Sequence, residues 1–164
     1  MKWHIFYIAL CNLIAEQLCY AKRSKVGAVI VKDHNIVAYG YNGTPHGFPN
    51  ICEEEIPDSG AAFNTELKRT VTKPEVIHAE INAIAKAARQ GIPTKNSILY
   101  VSISPCIECA KIIIQSGITN VIYEQQYRDV SGIELLKKAN VKIISLENIL
   151  IEEENSKQKL IIKS

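Results

Sequence analysis

Two periods of apolar residues divide the chain. Over residues 3–20, Trp3, Phe6, Leu10, Leu13 and Leu18 recur at roughly helical spacing and predict an opening helix with this stripe as its packing face. Residues 26–31, Val-Gly-Ala-Val-Ile-Val, are a short continuous apolar run and read as a buried strand. Lys32, Asp33, His34 and Asn35 form a turn, and residues 36–41 return as a second strand. The alanine-rich run over residues 78–90 predicts a helix that Gly91 stops. Beyond it, strands are expected over residues 97–103, 119–123 and 141–145. Between them come a helix ending at Gly117 and another over residues 131–139. This alternation implies an α/β fold with a largely parallel, helix-covered sheet, which the N-terminal hairpin makes mixed.

The regions without period are residues 42–76 and 147–164. A connection as long as the first is usually functional or partly ordered, and residues 65–69 are expected to add a helical turn there. The second is expected to be a C-terminal tail with no assigned function, following one domain over residues 1–146. At 164 residues, 47% hydrophobic and net charge +2, the chain suits a single soluble domain and not a strongly basic nucleic-acid binder. No leader and no apolar run of membrane-spanning length is seen. With five cysteines, an odd number, a reducing cytoplasmic setting is expected. Cys11, Cys19 and Cys52 are then free thiols, the first two as small core residues. His4 reads as an exposed end residue and His34 as a turn residue.

The chemistry concentrates between His78-Ala79-Glu80 and Pro105-Cys106-Ile107-Glu108-Cys109. His78, Cys106 and Cys109 are three soft or borderline metal ligands. A catalytic zinc site uses three protein ligands, whereas a structural one is closed by four. Glu80 stands too near His78 in sequence to ligate the same ion, but both can face one pocket if a helix starts there. It is then the candidate catalytic residue that takes a proton from zinc-activated water. Pro105 suits a helix's first turn, which places Cys106 at an N-terminus where the dipole favours thiolate. A structural zinc knot, or two core cysteines beside a buried histidine, is the plainer alternative.

The pattern H-x-E…P-C-x-x-C resembles the signature of the zinc-dependent nucleobase deaminases. The run Gly40-Tyr41-Asn42-Gly43-Thr44-Pro45, the form of the motif over residues 78–84, and Arg23 before residues 26–29 resemble the deoxycytidylate deaminase family in particular. The resemblance implies a cytidine-deaminase-like three-layer α/β/α fold with a five-stranded mixed sheet. It also implies one catalytic Zn2+ per subunit and hydrolytic deamination of dCMP to dUMP. Some relatives bind a second zinc in the insertion; here Cys52 is expected to be unligated. Further implications are a homohexamer activated by dCTP and inhibited by dTTP, with Mg2+ accompanying the triphosphate, and no membrane or nucleic-acid partner.

Substrate contacts are assigned to Asn42 for the sugar, Arg23 for the phosphate, Ser104 for the base edge and Tyr127 for covering the base. Each has a plainer reading: Asn42 bracing its own loop, Arg23 on a solvated surface, Tyr127 packing. Gly43 and Thr44 are candidates for an effector site, and Arg89 for a subunit contact or a surface charge. Two other readings stand beside this one. The first is a polynucleotide deaminase acting on tRNA adenosine or single-stranded DNA cytosine. The second is a non-catalytic zinc-stabilised binding module.

Overall fold

A computed structural model describes residues 2–57, 68–152 and 155. Helix α1 (Lys2–Leu18) is followed by β1 (Gly27–Lys32) and β2 (Asn35–Tyr41). These strands pair antiparallel through a turn in which Asp33 and His34 both take positive φ, 48° and 63°, as a tight hairpin requires. Strand β3 (Glu53–Pro57) pairs antiparallel with β4 (Lys68–Thr72) in a separate two-stranded ribbon. Then come α2 (Ala79–Arg89), β5 (Ile98–Ile103), α3 (Ile107–Gln115), β6 (Asn120–Gln125), α4 (Ser131–Lys138) and β7 (Lys142–Ser145). Residues 146–152 are helical as well. Among the described residues no helix is long and apolar enough to cross a membrane.

The main sheet has five strands in the order β2-β1-β5-β6-β7. β1 runs antiparallel to both neighbours, while β5, β6 and β7 run parallel. Alternation along the strands divides the core between the two faces. Ala28, Ile30, Leu99, Val101 and Val121 pack against the alanines of α2, Ile113 of α3 and Leu136 of α4. Val29, Val31, Tyr100 and Ile122 pack against Tyr7, Ile8, Cys11 and Ile14 of α1, joined by Leu146 and Ile149. The result is the expected three-layer α/β/α arrangement.

Helix α1 docks by a face other than the expected one. Trp3 is 58% and Leu13 53% exposed, with Phe6 and Leu18 also exposed, whereas Tyr7, Ile8, Cys11, Ile14 and Ala15 are buried. The helix is apolar nearly all round, so its period alone could not choose a face. Close approach chooses it: a Cβ on Gly27 would lie 2.0 Å from the Cys11 carbonyl oxygen, so the small residues of α1 must face β1. His4 is likewise no free end residue, since its Nδ1 shares a 2.9 Å hydrogen bond with the hydroxyl of buried Tyr100.

The helical turn expected over residues 65–69 is also replaced. Lys68 and Arg69 begin β4, and the other three residues lie outside the described ones. Thr70, Val71 and Thr72 suit a strand better than a helix, and Lys68 pairs with Glu55 across the ribbon at 3.5 Å. The helical residues 146–152 show that the segment left unassigned in sequence begins as part of the fold.

If α1 is seated this way, Ile8→Ala, at a side chain 1% exposed, should cost about 2–5 kcal/mol in urea denaturation. A cost under about 1 kcal/mol would mean that α1 uses another face.

Candidate metal centre and active-site pocket

Strand direction brings the functional segments to one edge of the sheet. β2, β5 and β6 point the same way, because β1 is antiparallel to both β2 and β5 and β5 is parallel to β6. Asn42, Ser104 and Tyr127 follow the C-terminal ends of those three strands. Ser24 and Val26 precede β1, which enters from the same edge. This is where open α/β sheets place their sites.

Two helix N-termini complete the edge. His78 is the N-cap of α2, with extended backbone (φ −69°, ψ 154°), and Cys106 is the N-cap of α3. Pro105 therefore sits one residue before the cap, outside the first turn where it was expected. Because His78 stands off the helix and Glu80 lies in its first turn, both reach the same pocket despite their spacing. Neither N-cap side chain caps its own helix. For α2 the role passes to Asn42, whose Oδ1 accepts from Ala79 N at 2.9 Å. Asn42 Nδ2 in turn donates to Ser24 O at 2.9 Å.

His78 Nδ1 lies 3.5 Å from Cys106 Sγ and 3.4 Å from Cys109 Sγ, and the three donor atoms fall within 4.8 Å of one another. Zinc bound tetrahedrally at its usual distances to nitrogen and sulfur would hold such a pair about 3.6 Å apart. The donors thus stand at metal-binding separation, and their N, S, S chemistry fits zinc. Among the described residues the group numbers three and does not include Glu80.

The electrostatics of the protein alone agree. Hydrogen bonds from Cys109 and His78 hold the Cys106 thiol down to about 3. The same contact with Cys106, together with burial, pushes Cys109 well above the ordinary thiol range. Two adjacent sulfurs cannot both ionise cheaply, and a divalent cation supplies the charge that lets them do so. Burial also raises the Glu80 carboxyl, which is only 4% exposed.

The pocket encloses about 150 Å³ and is lined by His78, Glu80, Cys106, Asn42, Ser104, Tyr127, Ala21, Ser24, Val26, Thr72, Val76 and Ile103. The structure thus brings together six of the sequence candidates, with Cys109 buried beneath them. Ser104 is tied to its neighbours, its Oγ accepting from Tyr127 N at 2.8 Å. Arg23 does not line the pocket; its backbone N donates to Glu53 Oε1 at 3.1 Å, one residue from the lining Ser24. Gly43 and Thr44 also lie outside the lining. Gly43 bridges to Ile77, and Thr44 Oγ1 donates to Pro49 O at 3.1 Å. Arg89 is exposed, beside a groove shared with Tyr39 and Lys86. Cys52 is buried with Cys19 and Ala21, against Tyr41 and Val76.

Lining residues not assigned to the site from sequence are Ala21, Ser24 and Val26 ahead of β1, Thr72 and Val76 from the long insertion, and Ile103 at the end of β5. Ile103 and Ser24 carried a signal, their places beside the candidates Ser104 and Arg23. The Arg128 guanidinium, also unmarked in sequence, lies 5.7 Å from the centroid of the Tyr127 ring.

Fold and site together define an enzyme built around a His-Cys-Cys metal centre with a buried carboxylic acid at its side. Comparison with known proteins agrees. The sequence model of the cytidine and deoxycytidylate deaminase zinc-binding region matches residues 1–125. The chain is 33% identical over 159 residues to ComE operon protein 2 of Bacillus subtilis, spanning 94% of this chain and 78% of that protein. It is 38% identical over 132 residues to the deoxycytidylate deaminase of Homo sapiens, spanning 79% of this chain and 68% of that one. Among solved structures, the dCMP deaminase of the cyanophage S-TIM5, in complex with dCMP and dUMP, matches with a TM-score of 0.76 at 36% identity. That match covers 88% of this chain and 97% of the phage protein. The chain belongs to the cytidine and deoxycytidylate deaminase family, and it is a deaminase.

Since Asn42 caps α2 from outside, Asn42→Ala should leave the Ala79 N–H buried without a partner. Urea denaturation should register a loss of about 1–3 kcal/mol. A loss under about half a kcal/mol would mean that α2 is capped by something else.

Proposed function

We propose that the chain catalyses hydrolytic deamination of dCMP to dUMP and ammonia. The observation that carries this is the placement of Glu80, buried in the first turn of α2 and facing the same pocket as the metal donors. When held by His78, Cys106 and Cys109, zinc supplies a water whose pKa is lowered to about 7. Glu80 would carry one proton of that water to N3 of the ring and the other to the amine, so that the C4–O bond forms first and the C4–N bond then breaks, releasing ammonia and leaving a carbonyl at C4. Ser104 and its neighbouring backbone bound the base edge, and Tyr127 covers the ring. Asn42 presents what its two structural bonds leave free to the sugar.

The phosphate requires a cation at the mouth of the pocket. Arg23 precedes the lining residue Ser24 in the chain, and the Arg128 guanidinium stands against the lining residue Tyr127, so these are the two arginines assigned to the phosphate. Arginine suits phosphate because it offers paired donors. Thr72 and Val76, which wall the pocket from the insertion, favour a free nucleotide over a base within a strand.

Regulation and assembly belong to the same reading. Self-association into a homohexamer is supported by the apolar outer face of α1 and by exposed Ile36 and Tyr39 on the edge strand β2. Activation by dCTP and inhibition by dTTP, with Mg2+ carried by the triphosphate, rest on the family resemblance. Gly43, Thr44 and Arg89 are the residues assigned to that effector and subunit contact.

Ammonia release from dCMP, dCTP, cytidine and a short cytosine-containing oligonucleotide tests the reading. Turnover should be greatest with dCMP, and Glu80→Gln should keep its zinc while losing about 10²–10⁴-fold in rate. Preferred turnover of the oligonucleotide, or near-normal rates in the Gln variant, would overturn it.

A further inference from the structure

The thiolate half of the metal centre rests on an element that carries no ligand. Gly132, the second residue of α4, is buried against the turn that delivers Cys106. A Cβ at this position would lie 2.1 Å from the Pro105 carbonyl oxygen. It would also lie 2.8 Å from both the carbonyl carbon and the carbonyl oxygen of Cys106. All of these are backbone atoms, and the Cys106 carbonyl is already committed, accepting the first bond of α3 from Ala110 N at 2.9 Å. The same turn is held from its other end. Ser104 N donates to Gln125 O at 2.8 Å, and Tyr127 N donates to Ser104 Oγ at 2.8 Å. Residues 125–132 therefore wrap residues 104–106, fixed at one end by β6 and at the other by α4.

We propose that Gly132 is a positioning residue for the metal centre: its missing side chain lets α4 press on the Pro105–Cys106 peptide and so sets where the Cys106 sulfur stands. The proposal rests on the reading of His78, Cys106 and Cys109 as zinc ligands. Magnitudes favour a specific effect over a general loss of packing. To reach ordinary contact, the 2.1 Å approach must open by more than an ångström. Metal–ligand distances tolerate only about 0.2 Å. Either the turn moves with its sulfur, or α4 lifts and takes the Tyr127 segment with it. Glycine at this position relieves both.

The test is zinc affinity in the purified full chain, by competition with a chromophoric chelator, together with the absorption spectrum of the Co2+-substituted protein. Gly132→Ala should bind zinc about tenfold or more weakly, as outer-shell changes do at other sites. It should also shift the sulfur-to-cobalt charge-transfer bands while keeping its far-UV circular dichroism. Leu136→Ala, a fully buried change one turn further along the same helix, should lower stability and leave affinity and spectrum unaltered. Exposed Asp129 offers a milder variant, because its Oδ1 accepts from Ser131 N at 2.9 Å where α4 begins. Asp129→Ala should release zinc to the chelator several-fold faster, and Asp129→Asn should restore the wild-type rate.

A folded Gly132→Ala protein with wild-type affinity and spectrum would overturn the proposal. So would equal weakening by Leu136→Ala. If Gly132→Ala does not fold, the Asp129 pair decides, and wild-type release from Asp129→Ala is the contrary result. Failure of the wild-type chain itself to bind zinc would instead sink the metal reading beneath the proposal, and the proposal with it.

Discussion

Bringing one imidazole nitrogen and two sulfurs within 4.8 Å of each other is the constraint on which the rest of this structure depends. The donors come from two helices some thirty residues apart, and neither helix alone can create the site. Their N-termini meet because α2 and α3 lie on the same face of one sheet and start at the same edge. Close backbone contacts hold that meeting in place. Gly40 admits α2 so closely that a Cβ there would lie 2.1 Å from the Ala79 carbonyl oxygen, and Gly132 does the same for the turn before α3. Asn42 then fixes the first amide of α2, which sets the direction of both His78 and Glu80.

The residues around the donors differ in their exposure. Cys109 is buried and His78 is exposed, so the donor group opens toward the pocket on the histidine side. Glu80 is almost fully buried and lines the cavity beside the donors. The insertion, an irregular stretch in sequence, supplies Thr72 and Val76 as the opposite wall. A long connection thus carries an antiparallel ribbon whose end reaches the site.

What could be read in sequence follows from how few residue types serve each purpose. Few residue types ligate zinc, so His78, Cys106 and Cys109 announce themselves, and the Pro and Glu beside them narrow the chemistry. Strands over residues 27–32 and 98–103 were equally plain, because fully buried strands read as apolar runs. Helix α1 was legible as a helix but not in orientation, since Leu13 and Ile14 look alike in sequence and only Gly27 decides between them. The ribbon was illegible because its partners, Glu55 and Thr70, pair across a gap that no local period spans. Asn42 was found for the right loop, yet its bond to Ala79 crosses 37 positions and could be seen only in three dimensions.

X-ray absorption at the zinc K-edge of the purified enzyme tests the central claim most directly. Two sulfurs at about 2.3 Å and two lighter atoms at about 2.0–2.1 Å are expected, with one sulfur lost in Cys106→Ser. A shell of three or four sulfurs, or two sulfurs that survive that substitution unchanged, would contradict it.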